Sequence, residues 1–271
     1  MYARLHARPL IVVIFLALVM PALAAVSARS AAADAKENQI TLDSYELIGT
    51  LNIPTGAQFE GTEIGGLSSL AYDAKRGVYY AISDDQCQIN PVRYYTLDIN
   101  VSDGHLDPGD INFLDVTKIL DASGAPYAPG ALDPDGLALT HEGQLYYTSE
   151  GFSTRIPPVD PFIKRMNHNG FQTRNLRVPD KFLPNAAGSQ GVRSNLAFES
   201  LNTTPDEINL FTASEGALAQ DGPAANLNQS GFARILQYRL SSGDPGSEFV
   251  YVVNPVAEVP VPRPRSASMD W

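Results

Sequence analysis

The chain has 271 residues, 44% of them hydrophobic, enough for a sizeable core in one large domain or two small ones. Its formal net charge of −11 argues against nucleic acid and anionic membranes as partners. Gly 21 and Pro 20 favour short strands and turns over long helices, and the single cysteine, Cys87, excludes an internal disulfide.

The first segment reads as a leader. Arg4 and Arg8 precede the apolar run "LIVVIFLALVM", Pro21 breaks it, and Ala22-Leu23-Ala24 offers a small-x-small cleavage site. That is the three-part layout of a secretory signal peptide. The alternative is an uncleaved anchor, because the run extended to Val26 approaches the ~17-residue lower limit of a span. No cysteine follows the run, which argues against a lipid anchor. Residues 1–24 are thus expected to be a signal peptide and 25–44 a flexible tether, on a periplasmic or extracellular protein with no stable membrane insertion after cleavage. Cleavage removes two arginines and no acid, so the mature chain is more acidic still.

A pattern then recurs. "GGLSSLAYDAKRGVYYAISDD" (65–85), "DPDGLALTHEGQLYYTSEG" (133–151) and "NLAFESLNTTPDEINLFTASEG" (195–216) share one order of parts. Each gives a small residue and Leu, a polar turn, an aromatic-containing strand, then Ser and an acid. The anchors Gly66, Gly136 and Ser200 are spaced 70 and 64 residues apart. Repetition at a near-constant step marks an array architecture. Further strands lie at "RYYTLDIN" (93–100), "ARILQYRL" (233–240) and "EFVYVV" (248–253), and no segment has a 3.6-residue apolar period. The expected fold is all-β, a β-propeller-like array of antiparallel blades. The chain length fits an incomplete array, about four blades of a six-bladed type.

In a propeller the ends of equivalent strands converge on one face. Asp84, Asp85, Glu150 and Glu215 close the repeats, and Asp135 and Glu199 lie in neighbouring loops. Converging carboxylates repel unless they share a cation or a proton. Oxygen ligands without Cys or His favour a hard ion, so Ca2+ is the expected cofactor, with Asp84, Glu150, Glu215 and Asp135 as its ligands. The alternative is that these acids serve only as turn residues. Cys87 is expected to be a partly buried small hydrophobe.

These stretches, with "GVRSNLAFESLNTTPDEINLFTASEGALAQDGP" (191–223) the most specific, resemble the phytase-like domain family, described by an "esterase-like activity of phytase". The resemblance runs from about Gly65 to Val253. It implies a β-propeller-like fold, export, and hydrolysis of phosphate or carboxylic esters. Family members often carry Glu-Gly before the repeat's Leu; here the pairs are Asp135-Gly136 and Glu199-Ser200. Family members also continue into further repeats, so the phytase-like domain is expected over 45–262 as a partial propeller.

Ester hydrolysis needs a nucleophile and charge stabilisation. No G-x-S-x-G elbow is present, and no His pair has metal-type spacing. A cation in the carboxylate ring is the more economical source of an activated water. Glu199, Arg193, Asn195 and Asp85 are the expected catalytic residues. Arg155, Lys164 and Arg165 belong to a basic stretch suited to a substrate phosphate; a solvated loop is the alternative there. Arg193 has a structural alternative too, pairing with Glu199 or Glu215. The expected partner is a small-molecule ester or phosphate, met by a monomer. The other functional class is a non-catalytic propeller that binds a ligand or partner around a structural cation.

After Pro262 the strand pattern vanishes. Residues 263–271 read as an aberrant tail, and the codons of Met269-Asp270-Trp271, read one base earlier, open on Gly-Leu as a further repeat would. A frameshifted or truncated longer protein is the expectation.

Overall fold

Period-two alternation, interrupted by tight turns, decides the strands. The computed structural model describes residues 45–258. The expected signal peptide, the expected tether and the tail beyond residue 262 lie outside the described residues. The chain divides into two units, Met1–Leu47 and Ile48–Trp271, and every sheet lies in the second.

The strands form four antiparallel sheets. The first is a short hairpin, β1 (Gln58–Phe59) with β2 (Thr62–Glu63). The other three are four-stranded meanders with strands in chain order, which is the form of a propeller blade. The first blade is β3 (Leu67–Asp73), β4 (Val78–Ser83), β5 (Arg93–Ile99) and β6 (Ile111–Lys118). The second is β7 (Leu137–Leu139), β8 (Leu145–Ser149), β9 (Phe162–Met166) and β10 (Gln172–Leu176). The third is β11 (Phe198–Thr203), β12 (Asn209–Ser214), β13 (Gly231–Arg239) and β14 (Asp244–Val253). Helix is confined, among the described residues, to single 3-10 turns at Asp180–Phe182 and Ala219–Asp221.

Local chemistry sets the meander. At the β3–β4 turn, Asp73 Oδ1 accepts from the Lys75 and Arg76 N–H groups, and Oδ2 accepts from Arg76 Nη1 at 2.8 Å. An acid that satisfies its own turn in this way fixes the hairpin register. In β4, Tyr80 and Ile82 face the second blade while Tyr79 and Ala81 face the β1–β2 side. A one-residue slip would exchange those two apolar sets.

Two apolar layers hold the blades together. Tyr80, Ile82, Tyr94, Leu137, Leu145, Tyr147 and Met166 fill the space between the first and second blades. Ala138, Tyr146, Ile163, Phe198, Leu201, Leu210, Leu236 and Tyr238 fill that between the second and third. On the free side of the first blade, Ala81, Tyr95 and Leu97 pack against Ile53, Phe59 and Ile64. Among the described residues no strand pairs the third blade with the first.

The first strand of each blade lies innermost, and adjacent blades meet there. Leu137 N donates to Ser69 Oγ at 3.1 Å, and Thr148 Oγ1 donates to Phe198 O at 3.0 Å. Glycines near the start of the inner strands have a physical reason. A Cβ at Gly136 would sit 2.7 Å from Leu201 Cβ and 2.9 Å from Leu201 N. At Gly66 the backbone is left-handed (φ 55°), and a Cβ would collide with the Asp84 carboxylate.

Candidate functional site

The closing acid of each repeat is pinned by the same backbone bond. Asp84 N donates to Gly66 O (2.8 Å), Glu150 N to Asp133 O (3.1 Å), and Glu215 N to Ala197 O (2.8 Å). Each acid therefore leaves the second strand of its blade at the same end, beside the entry of the inner strand. Acids 66 and 65 residues apart in sequence arrive at one place because the blade is the repeating unit.

At that end a cavity of about 160 Å³ is lined by Asp84, Gln86, Asp133, Asp135, Glu150, Asn195 and Glu199. Asp135, Glu150 and Glu199 each offer a carboxylate oxygen within 4.8 Å of the others. Asp135 and Glu150 are 8% and 3% exposed, while Glu199 stands at the mouth. Glu150 Oε1 accepts from Ala197 N at 2.7 Å, which holds its carboxylate in place on the cavity lining. Gln86 Nε2 donates to Asp133 Oδ2 at 2.9 Å. Asp135 Oδ2 and Asp84 Oδ1 are buried with no hydrogen-bond partner among the described residues.

Crowded acids in a dry site hold their protons. Burial, then the charges of Glu199, Asp133, Glu150 and Asp84, push the Asp135 carboxyl up to about 9. Burial and the facing Glu199 raise Glu150 to about 8, against the pull of the Ala197 N–H. Asp84 rises to about 6 through burial and the charge of Asp85. Asp133 also rises to about 6 through burial, opposed by its bond from Gln86.

Asn195 has a left-handed backbone (φ 58°), a conformation that Asn tolerates better than most side chains. Its turn closes with Leu196 N donating to Arg193 O at 3.2 Å, and Ser194 N donates to Ser153 Oγ at 2.7 Å. The turn places Asn195 on the cavity lining beside Glu199.

The structure brings together Asp84, Asp135, Glu150, Asn195 and Glu199, and it separates the other expected site residues. Glu215 is at the same end but exposed; partial burial and the charge of Glu199 raise its carboxyl. Asp85, expected to be catalytic, turns away into the first blade. Its Oδ2 accepts from Arg93 Nη1 at 2.9 Å and from Asn90 N, and its Oδ1 from Gln88 N and Ile89 N. Every lone pair that catalysis would need is engaged. Arg193 is likewise committed elsewhere, donating to the carbonyls of Ala217, Ala219 and Gly222.

The basic residues expected at a phosphate do not form one cluster. Arg155 is exposed, stacks on Phe152 with its guanidinium carbon 3.7 Å from the ring centroid, and donates to Gly130 O. Lys164 lies over the Phe162 ring and donates to Tyr127 Oη at 3.0 Å. Arg165 pairs across from Tyr146 and donates to Gln144, which precedes β8, whereas the acids follow it. It is at the opposite end of the blade. Two lining residues escaped sequence reasoning, Asp133 and Gln86. Asp133 was legible in principle, two residues before Asp135 in the same loop. Cys87 is half-buried and bonded at its thiol to Tyr127 O (3.4 Å), a packing role.

Two solved structures are similar to the chain. One is the Dos1 propeller, at TM-score 0.37 and 12% identity, covering 76% of this chain and 40% of that one. The other is the Pseudomonas aeruginosa periplasmic gluconolactonase PpgL, at TM-score 0.36 and 11% identity, covering 74% of this chain and 60% of that one. The chain thus spans less than two thirds of either structure. No curated protein matches it. Residues 62–269, three quarters of the sequence, match the family model described as "Phytase-like: Esterase-like activity of phytase", and the chain belongs to that family.

Proposed function

We propose that the chain is an exported hydrolase of phosphate or carboxylic esters whose site is the carboxylate cavity, with a hard divalent cation, Ca2+, as its cofactor. The observation that carries this reading is Asp135 Oδ2, buried and unpartnered within a group of three converging carboxylates. An orphaned buried acceptor in that setting calls for a positive partner. The donor set is all oxygen and so suits a hard ion. Asp135, Glu150 and Glu199 would hold the cation, with Asp84 and Asp133 beside them. When bound, such an ion supplies Lewis-acid charge toward a phosphoryl or acyl oxygen.

The chain's own residues take the remaining roles. Glu199, at the mouth, can accept a proton at its free carboxylate oxygen from an attacking water. Asn195 can donate its side-chain amide to a substrate oxygen and orient it. Asp135 and Glu150, protonated near neutrality without a cation, give up those protons when one binds. Export follows from the leader-like segment at Arg4 to Ala24. No helix among the described residues is long and apolar enough to cross a membrane.

A second reading rests on a specific observation: the cavity lining carries no Lys, Arg, His or Ser. A site with no cationic side chain to clamp an anion suits a structural ion in a ligand-binding propeller. Calcium titration, followed by turnover of p-nitrophenyl phosphate and p-nitrophenyl acetate with and without chelator, separates the two. Turnover that ends on chelation while the fold persists supports the hydrolase. Unfolding on chelation with no turnover at any calcium level supports the structural ion. The absence of both a calcium-dependent melting shift and any turnover would sink the cation site itself.

A further inference from the structure

At the end of the inner strands opposite the carboxylates lies a second cavity, of about 320 Å³. Its lining includes Thr140, Gln144, Tyr146, Arg165, Arg174 and Glu207. Arg165 on β9 and Arg174 on β10 are direct cross-strand partners, so both guanidinium groups leave the same face of the sheet. Like charges placed opposite one another on an antiparallel pair destabilise it unless a counter-charge lies between them. The described residues give neither arginine an ion pair.

The acids of the cavity are already engaged. Glu207 accepts from the His141 backbone N–H and faces His141 Nδ1 at 3.2 Å; Glu142 accepts from Gln144 Nε2 at 3.2 Å. The arginines are less engaged. Arg165 donates from Nε to Thr173 Oγ1 and from Nη1 to Gln144 Oε1, both at 3.0 Å, and Arg174 donates from Nη2 to Ser242 O. These bonds fix both planes and leave further N–H donors free to meet a ligand. Both side chains are partly buried, which lowers the screening that would weaken such a contact.

We propose that Arg165 and Arg174 form an oxyanion-binding site that takes the phosphate or carboxylate group of a small ligand. A planar guanidinium pair matches two edges of such a group, and the Thr140 and Tyr146 hydroxyls extend the site toward a polar substituent. The site is separate from the carboxylate cavity and stands whether or not that cavity is catalytic.

Calorimetric titration of the full chain with inorganic phosphate and with acetate, each against chloride at matched ionic strength, tests it. Saturable binding that persists in chelator is expected, weakened about tenfold or more in each of R165Q and R174Q, roughly 1.4 kcal/mol. Tighter phosphate assigns the site to phosphorylated ligands and tighter acetate to carboxylates; either order upholds it. Amide exchange on the unsubstituted chain gives a measurement independent of folding in the variants. Phosphate should slow exchange in β9 and β10. No saturable binding of either anion, binding unchanged in both variants, or binding lost on chelation would each overturn the proposal.

Discussion

Asp85 Oδ2 accepts from Arg93 Nη1 at 2.9 Å, with the two side chains 1% and 2% exposed. Arg93 Nε also donates to Tyr95 Oη and its Nη2 to Glu63 O, so the pair ties the first blade to the β1–β2 hairpin. Removing one partner of a buried pair strands the other charge without water. Asp85→Ala should therefore destabilise the chain by about 3–5 kcal/mol. Chemical denaturation in excess calcium reads this directly. A loss under about 1 kcal/mol would show that the pair is not what anchors the hairpin.

Asp135 has the opposite character. Its carboxyl is buried among four other acids and has no basic partner. Asp135→Asn keeps the shape and removes the need to protonate or repel. In chelator the variant should melt higher than the unsubstituted chain, by about 2–4 °C for each kcal/mol gained. In calcium the order should reverse, with affinity for the ion falling at least about tenfold, because a carboxylate ligand has become a neutral amide. Differential scanning calorimetry under both conditions gives the comparison. A variant that melts lower in chelator would place a stabilising partner on Asp135.

The same acids set a pH dependence. Asp84 and Asp133 titrate at about 6, Glu150 at about 8 and Asp135 at about 9, all above their unfolded values. Between about pH 4 and each folded value the native state binds more protons than the unfolded chain. Metal-free stability should therefore fall as pH rises through that window. The fall is steepest between about 4.5 and 6, where all four acids are protonated only in the native state, and gentler from there to about 9. Saturating calcium replaces those protons and should flatten the slope. Urea midpoints from pH 5 to 9, with chelator and with calcium, test the sign. Metal-free stability that rises with pH would contradict the clustering of these carboxylates.

The array was legible because its signal is repeated. Ser83-Asp84, Ser149-Glu150 and Ser214-Glu215 recur 66 and 65 residues apart, and a repeated unit must place equivalent residues at equivalent ends. The anchor of the first repeat is Ser69-Leu70 rather than Gly66-Leu67, because Ser69 pairs with Ile82 as Ser200 pairs with Ala213. What adjacent residues do was not legible. Asp84 and Asp85 are chemically alike, yet one lines the cavity and the other faces Arg93 across the blade. The β4–β5 pairing that sets Ser83 opposite Arg93 decides which acid is engaged, and pairing is tertiary information. Arg193 illustrates the same limit. Its position before "FES" suggested chemistry, but the carbonyls of Ala217, Ala219 and Gly222, brought near by the chain beyond β12, take up its donors. The basic stretch from Arg155 to Arg193 is local in sequence. Arg155 lies in the connection between β8 and β9 and Arg165 near the far end of β9, so the length of the strand carries them to different ends of the blade.

Gly136 links fold and site most directly. It follows Asp135 without a break, and its backbone approaches Leu201 so closely that a Cβ would lie 2.7 Å from Leu201 Cβ and 2.9 Å from Ser200 C. Its amide also donates to Thr148 Oγ1 at 2.7 Å, which in turn bonds Phe198 O. Ordinary packing cannot absorb a carbon at that distance, so Gly136→Ala must push the second and third inner strands apart. The strand that moves carries Glu199, and the loop that moves carries Asp135, so the carboxylate group opens with the blades. The expected stability loss is about 1–3 kcal/mol, typical of an overpacked core. Calcium affinity should fall as well, although no ligand has changed. Ser200→Gly, at the equivalent position of the third repeat, removes only an exposed hydroxymethyl and serves as the comparison, with calcium affinity held within about twofold. Isothermal titration of both variants decides the matter. Unaltered calcium binding in Gly136→Ala, with the stability loss present, would show that the inner-strand spacing does not set the geometry of the acids.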